Sequence, residues 1–566
     1  MADNERNITR RRVLRLGGSA ALLGLAGSQR VRGLESVPLQ QTSQGDRSNQ
    51  EVTIVASEGQ VEAGPDESSD TWLYDDQFPG PELRVSEGET LRVSLENQLP
   101  EETTIHWHGV PVPNPMDGVP NVTQDPVSSG ETFTYEYDAS PPGTYVYHSH
   151  VGLQLDRALS GPLIVEEESP HVEYDREYTL LIDDYLSESP TLDSIEAPPG
   201  GGPGGGGGPG GGPGGGGGPG GGGGPGGGGD GGPGGGGGPG GGPGPGGGGP
   251  GGGGGPGGGG PGGSGGGPGG GGEGPGPGNG PGPGGGPGGG PGGPGDVGRL
   301  GGRGPMQVQR PPYEGLTVNG RLPSDPPVFD VEEGERVRLR LINPSGATTY
   351  RVGVGGHSLI VTHTDGRPVE PVEVDSLDIS MGERYDVILE ADSPGEWAIV
   401  AAPVVGDEQP AEARLRYDGA SEDGSADRPQ FDGQRLQYGD LEALEPLDLD
   451  GSPDRTFDVT LAGGMMQEPG AWTIDGQAYP DADPLAIGEG EHVRVQMVNR
   501  SPAIHPMHLH GHFFQVGDAV KDTVLVPPHG GQITFDFLAD NPGDWLFHCH
   551  NVYHLERGMA RVFEYV

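Results

Sequence analysis

Cysteine and lysine are almost missing from this chain: its 566 residues include one of each, Cys549 and Lys521. A single thiol excludes any disulfide within the chain. Aromatic residues make up only 6%, and no stretch is apolar and long enough to span a bilayer as a helix. Positive charge is scarce as well. Lys plus Arg number 32 against 82 Asp plus Glu, a formal charge of −50. That imbalance argues against nucleic acid as a partner, because such a surface repels a polyanion. It suits very high salt, where self-repulsion is screened, and a halophilic source is expected.

Histidine stands out against these absences. The sole thiol lies between two imidazoles, His548-Cys549-His550, with His554 and Met559 close behind. Soft sulfur plus imidazole nitrogen is the donor set of a blue copper electron-transfer site. In an extended strand alternate side chains face opposite ways, so Cys549 faces one side and His548 and His550 the other. Two metal centres would then be wired through two peptide bonds.

Four separate His-x-His pairs occur: His106-Trp107-His108, His148-Ser149-His150, His508-Leu509-His510 and His548-Cys549-His550. With 16 histidines in the chain, random placement gives fewer than one such pair. The third pair sits in His505-Pro506-Met507-His508, which adds His505 as a candidate partner for Cys549. Eight paired imidazoles suffice for three metal ions, and His505, Cys549, His554 and Met559 for a fourth.

Two segments of the chain, its start and a tract in the middle, carry no core. Residues 1–45 hold a basic run, Arg10-Arg11-Arg12-Val13-Leu14-Arg15, then a short apolar stretch. They read as a twin-arginine-type signal, implying that export machinery as a partner and a secreted or cell-surface protein without stable membrane insertion. Residues 198–294 are almost wholly Gly and Pro without a strict three-residue period, so a disordered insertion is expected rather than collagen.

An internal repeat organises the remainder. Gly88-Glu89, Gly334-Glu335 and Gly490-Glu491 each open a strand-like alternation ending at Asn97, Asn343 and Asn499. Later each unit has Pro-Gly-x-aromatic, at Pro142, Pro394 and Pro542. Short alternating strands between turns predict an all-β chain of three β-sandwiches. Their expected spans are 46–170, 171–420 and 421–566, with 198–294 inserted in the second. At the offsets of the His pairs the second unit has Val352, Val354, Val400 and Ala402. A polynuclear cluster is therefore expected between the first and third units, and the thiolate site in the third alone.

In these motifs the chain resembles the multicopper oxidases, in their laccase-like branch of three cupredoxin (Greek-key) domains. Trp107, Leu509 and Gly511 match the pattern too. The resemblance implies four copper ions. His505, Cys549 and His554 would hold type 1 copper with Met559 axial, and His106 and His508 type 2. His108, His148, His150, His510, His548 and His550 would hold the type 3 pair. It implies dioxygen as acceptor and small-molecule electron donors, phenols or aromatic amines. Alternatives are a metallo-oxidase of Cu(I), Fe(II) or Mn(II), or a copper-binding electron-transfer protein. For proton supply the resemblance points to Asp117, which otherwise reads as an Asp-Gly turn residue, and to Glu556. Many bacterial relatives carry Glu directly after the last histidine, where this chain has Leu555.

Overall fold

The computed structural model describes residues 49–65, 67–192, 310–420, 426–449, 451–463 and 470–566. The expected signal and the Gly/Pro tract lie outside the described residues. As expected, the fold is all-β, and its sheets fall into three pairs. In the first sandwich, Glu67–Tyr74, Asn49–Gly64, Thr90–Asn97 and Thr132–Asp138 form one sheet, in that order. Leu83–Ser86, Ser160–Glu166, Gly143–His148 and His106–His108 form the other. The second and third sandwiches each pair a six-stranded sheet with a five-stranded one. In one sheet of each, a parallel strand pair sits within otherwise antiparallel neighbours: Asn49–Gly64 with Thr90–Asn97, Arg176–Tyr185 with Arg336–Ile342, and Arg455–Gly463 with His492–Asn499.

The sequence repeat recurs as a repeated set of hydrogen bonds. Gly88, Gly334 and Gly490 all have positive φ, 78°, 91° and 80°, a conformation that costs glycine nothing. Their N–H groups donate to Ala139, Ala391 and Ala539 at 2.9, 2.7 and 2.7 Å. Nine positions on, the buried Asn97, Asn343 and Asn499 play one role. Each side-chain amide donates to two backbone carbonyls, and each side-chain oxygen accepts the N–H two residues ahead. These buried amides satisfy backbone groups where each strand leaves its sheet.

Alternation along the strands fills one core per sandwich. Leu91, Val93 and Leu95 meet Leu163 and Val165 in the first. Val337, Leu339 and Leu341 meet Ile399, Ala401 and Leu415 in the second. Val493, Val495 and Met497 meet Phe547, Cys549 and Phe563 in the third. No helix of the described residues is long and apolar enough to cross a membrane.

Candidate metal centre

The third sandwich delivers its donors from two adjacent strands, His505–Leu509 and Asp544–Cys549, paired so that Met507 faces Cys549 and His508 faces His548. This register puts Met507, Leu509, Phe547 and Cys549 in the apolar core. The intervening His508, His510, His548 and His550 are left for the other face. In the first sandwich, His106–His108 pairs with Gly143–His148, with His106 opposite His148. Val352 of the second sandwich packs in an apolar core.

His505, Cys549 and His554 converge. Cys549 Sγ lies 3.6 Å from His505 Nδ1 and 3.5 Å from His554 Nδ1, and those two nitrogens are 3.2 Å apart. The backbone explains the convergence. After Cys549 the chain makes the short helix Val552–Glu556, capped by the Asn551 side chain, which accepts the N–H groups of Tyr553 and His554. It then closes back, with Met559 N–H donating to His554 O at 2.9 Å and Cys549 N–H to Met559 O at 3.0 Å. Met559 is fully buried in the same core as Cys549. Ser501 Oγ, 2.7 Å from His505 Nε2, engages that ring's far nitrogen and leaves Nδ1 to the thiol. Trp472 packs over His554 with ring centroids 4.0 Å apart.

The eight paired histidines form one buried cluster across the first and third sandwiches. Donor atoms of His106, His508 and His510 lie within 4.8 Å of one another, as do those of His106, His108 and His148, and those of His150, His510 and His548. His510 Nε2 is 3.0 Å from His548 Nε2, and His550 Nε2 is 3.1 Å from His108 Nδ1. Most rings are held from behind. His106 Nδ1 meets Asp117 O at 2.8 Å, His148 Nδ1 meets Ser149 O at 2.9 Å, and His508 Nδ1 meets Asp522 O at 2.9 Å. His548 Nδ1 meets the Cys549 carbonyl at 2.9 Å.

A metal ion fits this donor set. Nε2 of His106, His148, His150 and His508 is buried with no hydrogen-bond partner, a costly state for a polar atom unless something else binds it. A first-row metal bonded at about 2.0 Å to nitrogen and about 2.3 Å to sulfur separates its donors by about the distances found here. Burial, then neighbouring imidazoles, hold His148, His150, His510, His548 and His550 well below the usual histidine range, so the rings are neutral and their lone pairs free to ligate.

The two expected carboxylates part company. Asp117 is buried, with Oδ2 3.0 Å from His510 Nδ1 and Oδ1 3.2 Å from His106 Nδ1. Glu556 is exposed at the end of the short helix. Its neighbour Leu555 instead lines the cavity beside His148, His150, His548 and His550, together with Leu155 and Val552. A third carboxylate was not foreseen: Asp522 Oδ1 lies 3.1 Å from His108 Nε2 and 3.6 Å from His508 Nδ1. Its only sequence signal was its place beside the lone lysine. Histidines outside the motifs are engaged elsewhere, His363 with Glu167, His492 with Asp536 and His357 with Tyr417.

Multicopper oxidase family models match residues 56–170, 298–420 and 452–566. The multicopper oxidase MmcO of Mycobacterium tuberculosis is 33% identical over 510 residues, covering 88% of this chain and 83% of that protein. Laccase-4 of Trametes villosa is 24% identical over 86% of this chain and 84% of its own length. Among solved structures, Fet3p, a multicopper oxidase that functions in iron import, superposes with a TM-score of 0.65 at 18% identity, covering 91% of this chain and 90% of its own. The chain belongs to the multicopper oxidase family, copper-dependent oxidoreductases that use oxygen.

Proposed function

We propose that this chain is a laccase-like oxidase holding four copper ions, which couples one-electron oxidation of phenolic or aromatic amine donors to the four-electron reduction of dioxygen to water. His505, Cys549, His554 and Met559 would hold one ion, and the eight paired histidines the other three. Once bound, copper supplies one-electron redox chemistry at the first site and a place for dioxygen to accept electrons at the second. The observation that carries the reading is the backbone link between them. Cys549 approaches His505 and His554 while its neighbours His548 and His550 approach His510 and His108, so electrons cross between the sites along a few covalent bonds. A carrier that only ferries electrons has no use for the eight further imidazoles.

The residues around the donors have separate tasks. Trp472 and the core of the third sandwich exclude water from Cys549. The cavity walled by Leu155, Val552 and Leu555 admits a small apolar molecule such as dioxygen to His148, His150, His548 and His550. Reduction to two waters consumes four protons, and Asp117, against His510 and His106, is placed to relay them. The basic and apolar N-terminal segment supports twin-arginine export to the cell surface or medium, and the −50 charge supports a high-salt setting.

A metallo-oxidase is the second reading, favoured by the exposed carboxylate of Glu556 two residues beyond His554, which suits a cationic donor. Oxygen uptake at molar salt with a phenol, with Fe(II) or Cu(I), or with no donor tests both. Phenol-dependent uptake supports the laccase reading. Uptake with metal ions alone replaces it with the second, and no uptake from copper-loaded protein refutes both.

A further inference from the structure

The middle sandwich supplies none of the twelve expected ligands, yet its backbone abuts the histidine cluster. Gly382 has φ +86°, and a Cβ there would come 2.8 Å from His108 Cε1 and 2.9 Å from His550 Cδ2. Beside it lies a buried group of charges drawn from two sandwiches. Lys521, the only lysine of the chain, is fully buried at the end of strand Ala519–Lys521 in the third sandwich. Its Nζ meets Thr364 Oγ1 at 2.6 Å, Asp365 Oδ2 at 3.0 Å and Glu383 Oε1 at 3.1 Å, all of the middle sandwich. The rings of Tyr385 and Tyr438 flank it at 4.9 and 5.3 Å.

The contacts run on to the histidines. Asp365 Oδ2 accepts the N–H groups of Asp522 and Thr523, each at 3.3 Å, and Oδ1 accepts that of Arg384 at 3.0 Å. Arg384 grips Asp522 with both terminal nitrogens, at 2.8 and 2.5 Å. Asp522 in turn holds His108 through its side chain and His508 through its carbonyl. Two cations thus face three carboxylates, all of them buried. Burying charge is expensive unless every member is paired, and pairs behind a metal-binding imidazole fix its orientation and the nitrogen it presents.

We propose that Lys521 is a positioning residue for copper: by clamping Asp365 and Glu383 it holds Asp522 against His108 and His508, so that the middle sandwich, without donating a ligand, sets metal occupancy in the cluster. Burial pushes the Asp365 carboxyl up to about 6, and the Lys521 charge opposes that rise.

The proposal rests on the copper reading, and the test separates the two. Lys521→Met removes the charge at similar length; Lys521→Met with Glu383→Gln removes one charge of each sign. Copper per chain, the thiolate absorption from Cys549 and the electron paramagnetic resonance of type 2 copper are measured at matched molar salt. Wild-type chain without copper or thiolate absorption would refute the copper reading itself. With copper present, the expectation for Lys521→Met is loss of about one copper of four and of the type 2 signal, with the thiolate absorption kept and partial recovery in the double variant. A full copper complement with an unchanged type 2 spectrum overturns the proposal, as does a double variant no better loaded than the single. If Lys521→Met loses the thiolate absorption as well, Lys521→Arg decides: restored copper supports the clamp, and depleted copper in a chain that keeps the absorption overturns it.

Discussion

Cys549 and His548 share a peptide bond and serve opposite faces of one strand: the thiol lies 3.5 Å from His554 Nδ1, and the imidazole Nε2 lies 3.0 Å from His510 Nε2. Cys549→Ser should therefore separate the two sites. A serine hydroxyl is a hard, weak ligand where the thiolate is soft, while the eight paired histidines keep their backbone supports. The expected outcome is loss of the blue absorption and of donor-driven oxygen uptake, with about three copper ions per chain retained. Normal uptake in that variant would contradict entry of electrons at Cys549.

Met559 tests the same site without emptying it. It is fully buried, and its backbone is tied to both Cys549 and His554. An axial thioether stabilises oxidised copper relative to an alkyl side chain. Met559→Leu should raise the reduction potential of the Cys549 site and leave copper content unchanged. A redox titration with no change, or a fall, places the axial donor elsewhere.

The clustering of the paired histidines was legible because each pair is local: alternate residues of one strand share a face, so His-x-His announces two imidazoles on one face without any knowledge of the fold. Cys549 was legible because no other thiol competes with it. The repeat of Gly-Glu and Asn was legible too, and the three asparagines make equivalent bonds. The supports of these side chains were not. Asp522 reaches His108 across 414 residues of sequence and Arg384 across 138, and no spacing rule spans two sandwiches. Among the carboxylates, Asp117 lies against the cluster, whereas Glu556 faces solvent one residue past the cavity-lining Leu555. In a helix one position turns the side chain by about 100°.

Asp117→Asn keeps the shape and one acceptor oxygen for His106 or His510 but removes an exchangeable acid. Turnover should fall by about 10²- to 10⁴-fold, the span typical of a lost acid–base group. Copper content should hold, and a donor should still bleach the thiolate absorption at the wild-type rate without oxygen. Slower bleaching would put the defect in electron entry rather than proton supply.

Asp386 bears on stability. Its Oδ2 accepts Arg338 at 2.6 Å, Arg340 at 3.1 Å and Thr144 of the first sandwich at 3.0 Å. Burial alone would raise its pKa, but Arg338 and Arg340 hold it far below the usual carboxylate range. A depressed carboxylate stabilises the fold above the unfolded value of about 3.9, and that contribution disappears as pH falls through the folded value. Asp386→Asn leaves two buried guanidiniums short of charge, costing about 3–5 kcal/mol near neutral pH. Urea unfolding at matched salt should show that deficit at pH 7 and a narrowing gap below about pH 4. An equal gap at both would mean the loss is packing rather than charge.

The Gly/Pro tract is bracketed by partners. Strand Arg176–Tyr185 pairs antiparallel with Gly315–Val318, placing Tyr185 opposite Gly315 and Ile182 opposite Val318. The chain therefore leaves and re-enters the same edge of one sheet, and nothing in the described fold requires a long excursion between them. Closure entropy grows only with the logarithm of loop length, so replacing residues 198–294 with a short Gly/Ser loop eases closure by only about 1 kcal/mol. Only Asp230 and Glu273 in the tract carry side chains able to bind metal, and no aromatic there can hold a donor. The shortened chain should keep its copper and its turnover of a small phenol within about twofold, a change of about 0.4 kcal/mol. A tether to the envelope would show as protein released to the medium, and a gate on donor access as an altered KM for bulky phenols. Lost copper would mean instead that the tract acts on the fold, against the strand pairing that closes it off.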